Sequence, residues 1–351
     1  MGIESLDINA GYMIKCSKAS IWRYLGGAVL KCGKRDYYIT PINPPHKVEF
    51  HSFVFSIIIA DTALYVGYWT EPGVIDVVDP NALNVINTFR APNGHDRILS
   101  MVLSSTALYV GYFTEPGIID MLDVNTLKLI NTFRAPDGHK RILSMALSST
   151  ALYVGYRSSP GIIDVLDPNT LKLLNTFTAQ DDHYIIHALA LSSTALYVGY
   201  GTAPGVIDVL NPNTLDVLHS FTAPAGHNYV RALALSSTAL YVGYGALPGV
   251  IDVLNPSTLD LIKTFNAPNN HNKVSSLALS STALYVGYDS SPGIVDMVNP
   301  STLDLIKTFK SPNNYDNVDV ITLSSTALYV GYFTNPAIID VLDPNTLDLR
   351  S

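Results

Sequence analysis

Apolar residues in this chain occur in short runs that are separated by turn-forming residues. One stretch, residues 139–182, contains four such runs, at Ile142–Leu147, Leu152–Tyr156, Ile162–Leu166 and Leu171–Phe177. Each run is rich in Val, Ile, Leu or Tyr and is bounded by Ser, Thr, Asp, Pro or Gly, a pattern that predicts β-strands. No run reaches the ~10 residues of a typical helix without meeting Gly or Pro, so helices are not expected.

The same pattern recurs seven times at a fixed interval of 44 residues. The string A-L-Y-V-G-Y marks each copy and begins at Ala63, Ala107, Ala151, Ala195, Ala239, Ala283 and Ala327. Four short strands per unit, repeated seven times, predict an all-β fold, a seven-bladed β-propeller with four antiparallel strands per blade. The copies are nearly equivalent, which favours a closed ring over a linear solenoid with distinct end caps.

The propeller is expected to occupy residues 51–351, preceded by a non-repeating extension at residues 1–50. The last unit ends soon after Leu347, with about half of a fourth strand present. A closed ring needs that strand, so we expect the extension to supply it. The candidate segments are Ala28–Lys31 and Asp36–Thr40.

The repeat resembles two known propeller families. Gly-His pairs are followed 28 residues after the histidine by Asp or Asn, as in His95 and Asp123, and this spacing resembles the WD40 repeat. The strand L-Y-V-G-Y and the run G-x-I-D-V are similar to YVTN-type repeats. Both resemblances cover about residues 51–351 and imply a propeller fold. Where WD40 repeats carry Trp this chain has Leu166, Val78 or Val298, so the His–Ser–Asp–Trp network of that family is not carried over intact.

Composition and charge argue against nucleic acids and membranes as partners. The formal net charge is −8, which disfavours nucleic acid because no basic field is available to replace phosphate counterions. The longest apolar run, Phe53–Ala60, is far shorter than the ~20 residues of a membrane helix. The acidic N-terminus lacks the apolar core of a secretory signal. We therefore expect a monomeric cytoplasmic protein that binds neither nucleic acid nor membrane.

One aspartate and one histidine recur in almost every unit, at blade spacing. Residues so far apart cannot share a metal ion, so we predict that each aspartate accepts hydrogen bonds within its own blade and that each histidine has a structural role. The aspartates are Asp76, Asp120, Asp164, Asp208, Asp252, Asp296 and Asp340. The histidines are His51, His95, His139, His183, His227 and His271, with Tyr315 in the seventh unit.

The positions that differ between units point to the functional face. The turns between strands 1 and 2 and between strands 3 and 4 are almost constant, whereas the loops between strands 2 and 3 and the unit junctions vary. These two variable segments lie on the same face of an up-and-down blade, so function is expected there. Ring closure brings Trp69, Phe113 and Phe333 into one sector.

Arginines at the neighbouring junctions complete a predicted partner-binding surface. An aromatic and arginine patch is typical of a protein-binding hot spot. The alternative is that the three aromatic residues only shield loop prolines. The four arginines assigned to the surface are Arg90, Arg97, Arg134 and Arg141.

Enzymatic signals are weak. The sequence has no G-x-S-x-G elbow, H-E-x-x-H motif, P-loop or Gly-rich dinucleotide turn. The one irregular polar cluster, Asp181, Asp182, His183 and His187, could bind a metal but is more simply a solvated loop. We therefore predict a non-enzymatic scaffold for a protein or peptide partner, with no cofactor and no metal. The alternative is a propeller hydrolase or oxidoreductase with a metal or small-molecule site at the central channel.

Overall fold

The computed structural model describes the side chains of residues 51–60, 62–268 and 271–350, and the backbone of six strands before them. The contacts divide the chain into two units, of which the second is the propeller, from Val48 to Arg350. In the first unit, two strands form a hairpin and three form an antiparallel sheet. Those five strands are Glu4–Ile8, Tyr12–Cys16, Ala19–Tyr24, Gly27–Cys32 and Arg35–Ile39.

The second unit is a seven-bladed β-propeller, as predicted, and each blade is a four-stranded antiparallel sheet, whose strands follow chain order in blades 1–6. The first strands are Val54–Ala60, Ile98–Leu103, Ile142–Leu147, Ile186–Leu191, Val230–Leu235, Lys273–Leu279 and Val318–Leu323. The second strands are Ala63–Tyr68, Ala107–Tyr112, Leu152–Tyr156, Leu196–Tyr200, Leu240–Tyr244, Leu284–Asp289 and Leu328–Tyr332. The third strands are Val74–Val78, Ile118–Asp123, Ile162–Leu166, Val206–Leu210, Val250–Leu254, Ile294–Val298 and Ile338–Leu342. The fourth strands of blades 1–6 are Val85–Arg90, Leu129–Arg134, Leu173–Thr178, Val217–Thr222, Leu261–Asn266 and Leu305–Lys310.

The burial of a strand depends on its distance from the propeller axis. The first strands of neighbouring blades contact one another all round the ring, including blades 7 and 1. The second and third strands are almost fully buried, and each apolar cluster combines two neighbouring blades. The fourth strands expose most of their side chains. This explains why the second and third strands are continuously apolar rather than alternating.

The fourth strand begins later than the sequence predicted. Leu171 was expected in the strand, but it belongs to the preceding turn, where its N–H donates to the carbonyl of Asp167 at 2.8 Å. Its φ of +55° is in the left-handed region that non-glycine residues rarely adopt. The side chain is nevertheless 3% exposed. Leu171 therefore has two roles: its backbone forms part of the turn, and its side chain packs between blades. A turn role is not expected of a leucine from sequence alone.

Blade 7 is completed by both ends of the propeller unit. The short strand Val48–Glu49 pairs with Ile338 and Ile339 on the third strand of blade 7. Further along the same strand, Leu349 bridges to Leu342. The extension therefore supplies the outer strand, but from neither expected segment. The residues at 28–31 and 36–39 instead pair with each other in the first unit.

The recurrent aspartates accept hydrogen bonds within their own blades, as predicted. In blade 2, the Asp120 carboxylate lies 2.8 Å from His95 Nδ1 and accepts from the hydroxyls of Tyr112 at 3.0 Å and Thr132 at 2.6 Å. In blades 3–6 the same His–Asp contact is formed by His139–Asp164, His183–Asp208, His227–Asp252 and His271–Asp296. Hydrogen bonds from the protein thereby replace the water that each buried carboxylate loses on folding.

Candidate functional site: the variable face and the channel mouth

The three predicted aromatic residues lie in one continuous row across blades 7, 1 and 2. The rings of Trp69 and Phe113 are 5.0 Å apart, centroid to centroid. Phe55 joins them to Phe333, with centroid distances of 4.8 Å to Trp69 and 5.9 Å to Phe333. Phe333 is 39% exposed and stacks on Phe53 at 4.2 Å. We call these five residues the aromatic row.

Backbone hydrogen bonds between neighbouring blades hold the aromatic row in place. The N–H of Phe53, at the junction before blade 1, donates to the carbonyl of Thr334 in the blade 7 loop at 3.0 Å. The N–H of Arg97, at the next junction, donates to Thr70 in the blade 1 loop at 2.8 Å. Each junction is thus fixed against the preceding blade, so residues far apart in sequence meet in one sector.

Two of the four predicted arginines cover the rings at one end of the row. The guanidinium carbon of Arg97 lies 5.0 Å from the centroid of Trp69, and that of Arg141 lies 4.4 Å from Phe113. Both are within the range of a cation–π contact. Arg97 is paired with Glu71, and Arg141 Nε lies 2.8 Å from Glu115 Oε1. Lys140 Nζ also lies 3.3 Å from Glu115 Oε2. This end of the row therefore presents flat guanidinium and aromatic groups, with three cations beside two glutamates.

The structure does not bring the other two arginines to this surface. Arg90 and Arg134 are the last residues of their fourth strands, opposite Val74 and Ile118. The fourth strand is the outermost in the blade, and both side chains are exposed there. Arg90 and Arg134 are close to the junctions in sequence. The chain must still run several residues inward from them before it begins the first strand of the next blade, near the axis.

Sequence comparison of the loops missed a ring of seven residues at the central channel. Each blade contributes one residue from its first strand, and together they line a cavity of about 210 Å³. A signal was present in the sequence: the preceding position is always Val or Ile, whereas this position changes chemistry from blade to blade. The channel ring consists of Phe55, Leu99, Leu143, His187, Arg231, Ser275 and Asp319.

The channel ring is apolar on one arc and polar on the other. Burial lowers the pKa of His187 to about 4, and the neighbouring charges of Arg231 and Arg157 act in the same direction. Burial raises the pKa of Asp319 to about 7, aided by the negative charge of Asp289 and opposed by Arg231. At neutral pH the histidine is therefore uncharged and Arg231 is the cation of the ring.

Two glycines make room for the polar arc. Gly201 and Gly245 occupy the position held by Trp69 in blade 1. A Cβ at Gly201 would lie 2.8 Å from Cδ2 of His187, and one at Gly245 would lie 3.2 Å from Nε of Arg231. A larger residue at either position would displace the polar side chain beside it. The small residue in each loop therefore goes with the long polar residue in the ring.

The irregular polar cluster does not form one site. His183 lies 3.2 Å from Asp208 through Nδ1, whereas His187 belongs to the channel ring. Within the described residues, no three His, Cys, Asp or Glu side chains are arranged to hold a metal ion. In the same part of the chain, no helix is long and apolar enough to cross a membrane.

Comparison with known proteins supports the fold. The chain is similar to the crystal structure of the computationally designed Ika8 protein, with a TM-score of 0.65 and 16% sequence identity, over 92% of this chain and 95% of that one. At that identity the likeness concerns the architecture alone. No protein-family model and no curated protein matches the sequence.

Proposed function

We propose that this protein is a non-enzymatic scaffold that binds a protein partner on its variable face. The observation that carries the proposal is the aromatic row, which is continuous over three blades and partly exposed, with Phe333 at 39%. Aromatic and arginine side chains are the residues that dominate binding energy at protein interfaces. The constant turns on the opposite face are instead built mainly from Ser, Thr, Asp, Asn and Pro.

The contacts of the two arginines favour an apolar partner segment. Arg97 is paired with Glu71 and Arg141 with Glu115, so both guanidinium groups already have an anionic partner, which for Glu115 is shared with Lys140. Their planar groups and the neighbouring rings instead suit an aromatic or aliphatic anchor of a peptide chain. The cytoplasmic and monomeric state expected from the sequence stays a prediction.

We also propose that the units are related to WD40-like or YVTN-like repeats. The His–Asp–hydroxyl network supports a relation to the former, although tyrosine and threonine, rather than tryptophan, complete it. The constant L-Y-V-G-Y strand supports a relation to the latter.

A matched pair of triple and double variants tests the scaffold proposal. The site variant replaces Trp69, Phe113 and Phe333 by Ala. The control replaces Tyr229 and Leu247, which are 44% and 67% exposed on the same face but in blade 5, by Ala. Quantitative affinity capture from native lysate identifies proteins lost only with the site variant, and the affinity of the purified partner is then measured directly.

We expect the site variant to weaken partner binding at least about tenfold and the control to leave it unchanged. Thermal melts must show that both variants are folded. Equal capture of the same proteins by the wild type and the site variant would contradict the proposed surface.

A further inference from the structure

The channel ring contains an arginine and an aspartate that line one cavity without touching. Arg231 comes from blade 5 and Asp319 from blade 7, with Ser275 of blade 6 between them. Among the described residues, neither has an opposite charge within 4.0 Å. Oδ2 of Asp319 is buried and has no hydrogen-bond partner. Such a group is costly to leave unsatisfied, and a molecule bound in the cavity would supply the missing partner.

The opposite arc of the cavity is hydrocarbon. In a seven-membered ring, blade 6 faces blades 2 and 3, which contribute Leu99 and Leu143. A molecule that bridges Arg231 and Asp319 beside Ser275 therefore directs its remaining atoms to these two leucines. The Ser275 hydroxyl donates to the carbonyl of Val318, so its oxygen can still accept a hydrogen bond.

We propose that this cavity binds a free α-amino acid with an apolar side chain. The carboxylate pairs with Arg231, the ammonium group with Asp319, and the side chain packs on Leu99 and Leu143. Arginine suits a carboxylate because its planar N–H groups can bind both oxygens. The cavity volume of about 210 Å³ is below the roughly 300–1,000 Å³ of sites for drug-sized ligands, so a small molecule is the appropriate class.

The surrounding charges select a zwitterion over a phosphate or another multiply charged anion. His187 is neutral near pH 7, so Arg231 is the positive group of the ring itself, with Arg157 acting on His187 from outside the ring. Asp319 and the nearby Asp289 repel a dianion and attract an ammonium group. Only a ligand with both charges, close together, satisfies both sides of Ser275.

Isothermal titration calorimetry with purified full-length protein tests the proposal. The probes are L-leucine, L-valine and L-methionine, each at up to about 10 mM, which reveals a Kd as weak as about 1 mM. Two analogues of leucine serve as chemical controls: 4-methylpentanoate, which lacks the amine, and 3-methylbutylamine, which lacks the carboxylate. We expect at least one amino acid to bind, and both analogues to bind about tenfold more weakly or not at all.

Variants locate the binding in the channel. Arg231→Met and Asp319→Asn should each weaken binding at least about tenfold. Lys172→Met and Asp181→Asn make the same charge changes at exposed positions elsewhere and should leave it unchanged. The absence of binding by all three amino acids, or equal binding by the channel variants and their controls, would overturn the proposal. The site variant, in which Trp69, Phe113 and Phe333 are replaced by Ala, leaves all seven channel-ring residues in place and should keep amino-acid binding. This site and the partner surface therefore fail or succeed separately.

Discussion

At the scale of single residues, the surroundings of a carboxylate decide its role. The Asp164 carboxylate lies 2.8 Å from His139 Nδ1 and accepts from Tyr156 at 3.0 Å and Thr176 at 2.7 Å. These contacts replace its lost hydration, so Asp164 acts as a structural centre of blade 3. Asp319 is also largely buried, but its Oδ2 has no such partner. Folding alone does not account for an ionisable group whose buried oxygen has no partner, and this is why we propose a ligand for it.

Asp164→Asn should destabilise the propeller. The neutral amide turns an N–H₂ group toward side chains that are themselves donors, so at least one donor is left unsatisfied in a buried site. We expect a loss of about 2–4 kcal/mol in the free energy of unfolding, measured by urea denaturation. Asp181→Asn, in an exposed loop, is the control. A loss no larger than that of the control would show that the network contributes little.

Asp319→Asn should stabilise the protein increasingly as the pH rises above about 4. The pKa of Asp319 is raised to about 7 in the folded chain, from 3.8. The folded state therefore holds its proton more tightly, and ionisation costs stability progressively as the pH rises from about 4 to about 7. Asparagine cannot ionise and avoids this cost.

Unfolding midpoints between pH 4 and pH 8 provide the measurement. The variant should match the wild type near pH 4 and exceed it by about 1–3 kcal/mol at pH 8. A difference that stays constant over this range would mean that the carboxylate does not titrate as the structure implies.

The sequence predicted part of the candidate site because the repeat aligns every loop residue with its six counterparts. Trp69, Phe113 and Phe333 stand out in that alignment, and they do lie in one sector. Phe53 and Phe55 were missed because they lie on either side of Val54, a position that is Val or Ile in every unit, and so look like core. Arg90 is near a junction in the sequence but is the last residue of an outer strand, and nearness in sequence does not show where such a strand ends.

At the scale of strands, the constant glycine of L-Y-V-G-Y sets how closely blades approach. A Cβ at Gly111 would lie 2.6 Å from Cγ2 of Ile142, on the first strand of the next blade. Strand pattern predicted the first three strands of each unit well because apolar runs end at Ser, Pro or Asp. The closing strand Val48–Glu49 was missed because two residues carry no periodic pattern.

Gly111→Ala should therefore destabilise the contact between blades 2 and 3. The added methyl group overlaps Ile142, and overpacking of this kind costs about 1–3 kcal/mol. Adding Ile142→Ala creates the missing space, so the double variant should lose clearly less stability than the sum of the two single variants. Urea denaturation of all four proteins measures this coupling. Strict additivity would show that the blades adjust without strain.

At the scale of the whole molecule, each blade is tied to the next by the same hydrogen bond. The hydroxyl of Tyr109 donates to the carbonyl of Pro168 in the following blade at 2.6 Å. The last blade returns to the first in the same way, through Tyr329 and Pro80 at 3.2 Å. Side-chain hydrogen bonds thus link every blade to the next around the closed ring. The two ends of the propeller backbone meet in the outer strand of blade 7, which both of them help to form.

Two truncations separate ring closure from any contribution of the first unit. Removal of residues 1–45 keeps the closing strand Val48–Glu49, whereas removal of residues 1–50 deletes it and leaves His51 in place. Without that strand, the backbone edge at Ile338 and Ile339 loses its partner. We expect the longer truncation to lower the melting temperature by roughly 5 °C or more, relative to the shorter one.

The same truncation should also weaken partner binding, because the aromatic row begins just after the closing strand. The His51 carbonyl accepts from Ala337 N–H at 3.3 Å, and Phe53 N–H donates to Thr334. These contacts hold the first junction against blade 7 only while the chain before them is anchored. If the two truncations melt together and bind partner equally well, the C-terminal residues alone close the ring. A difference in both measurements would tie ring closure to the integrity of the binding face.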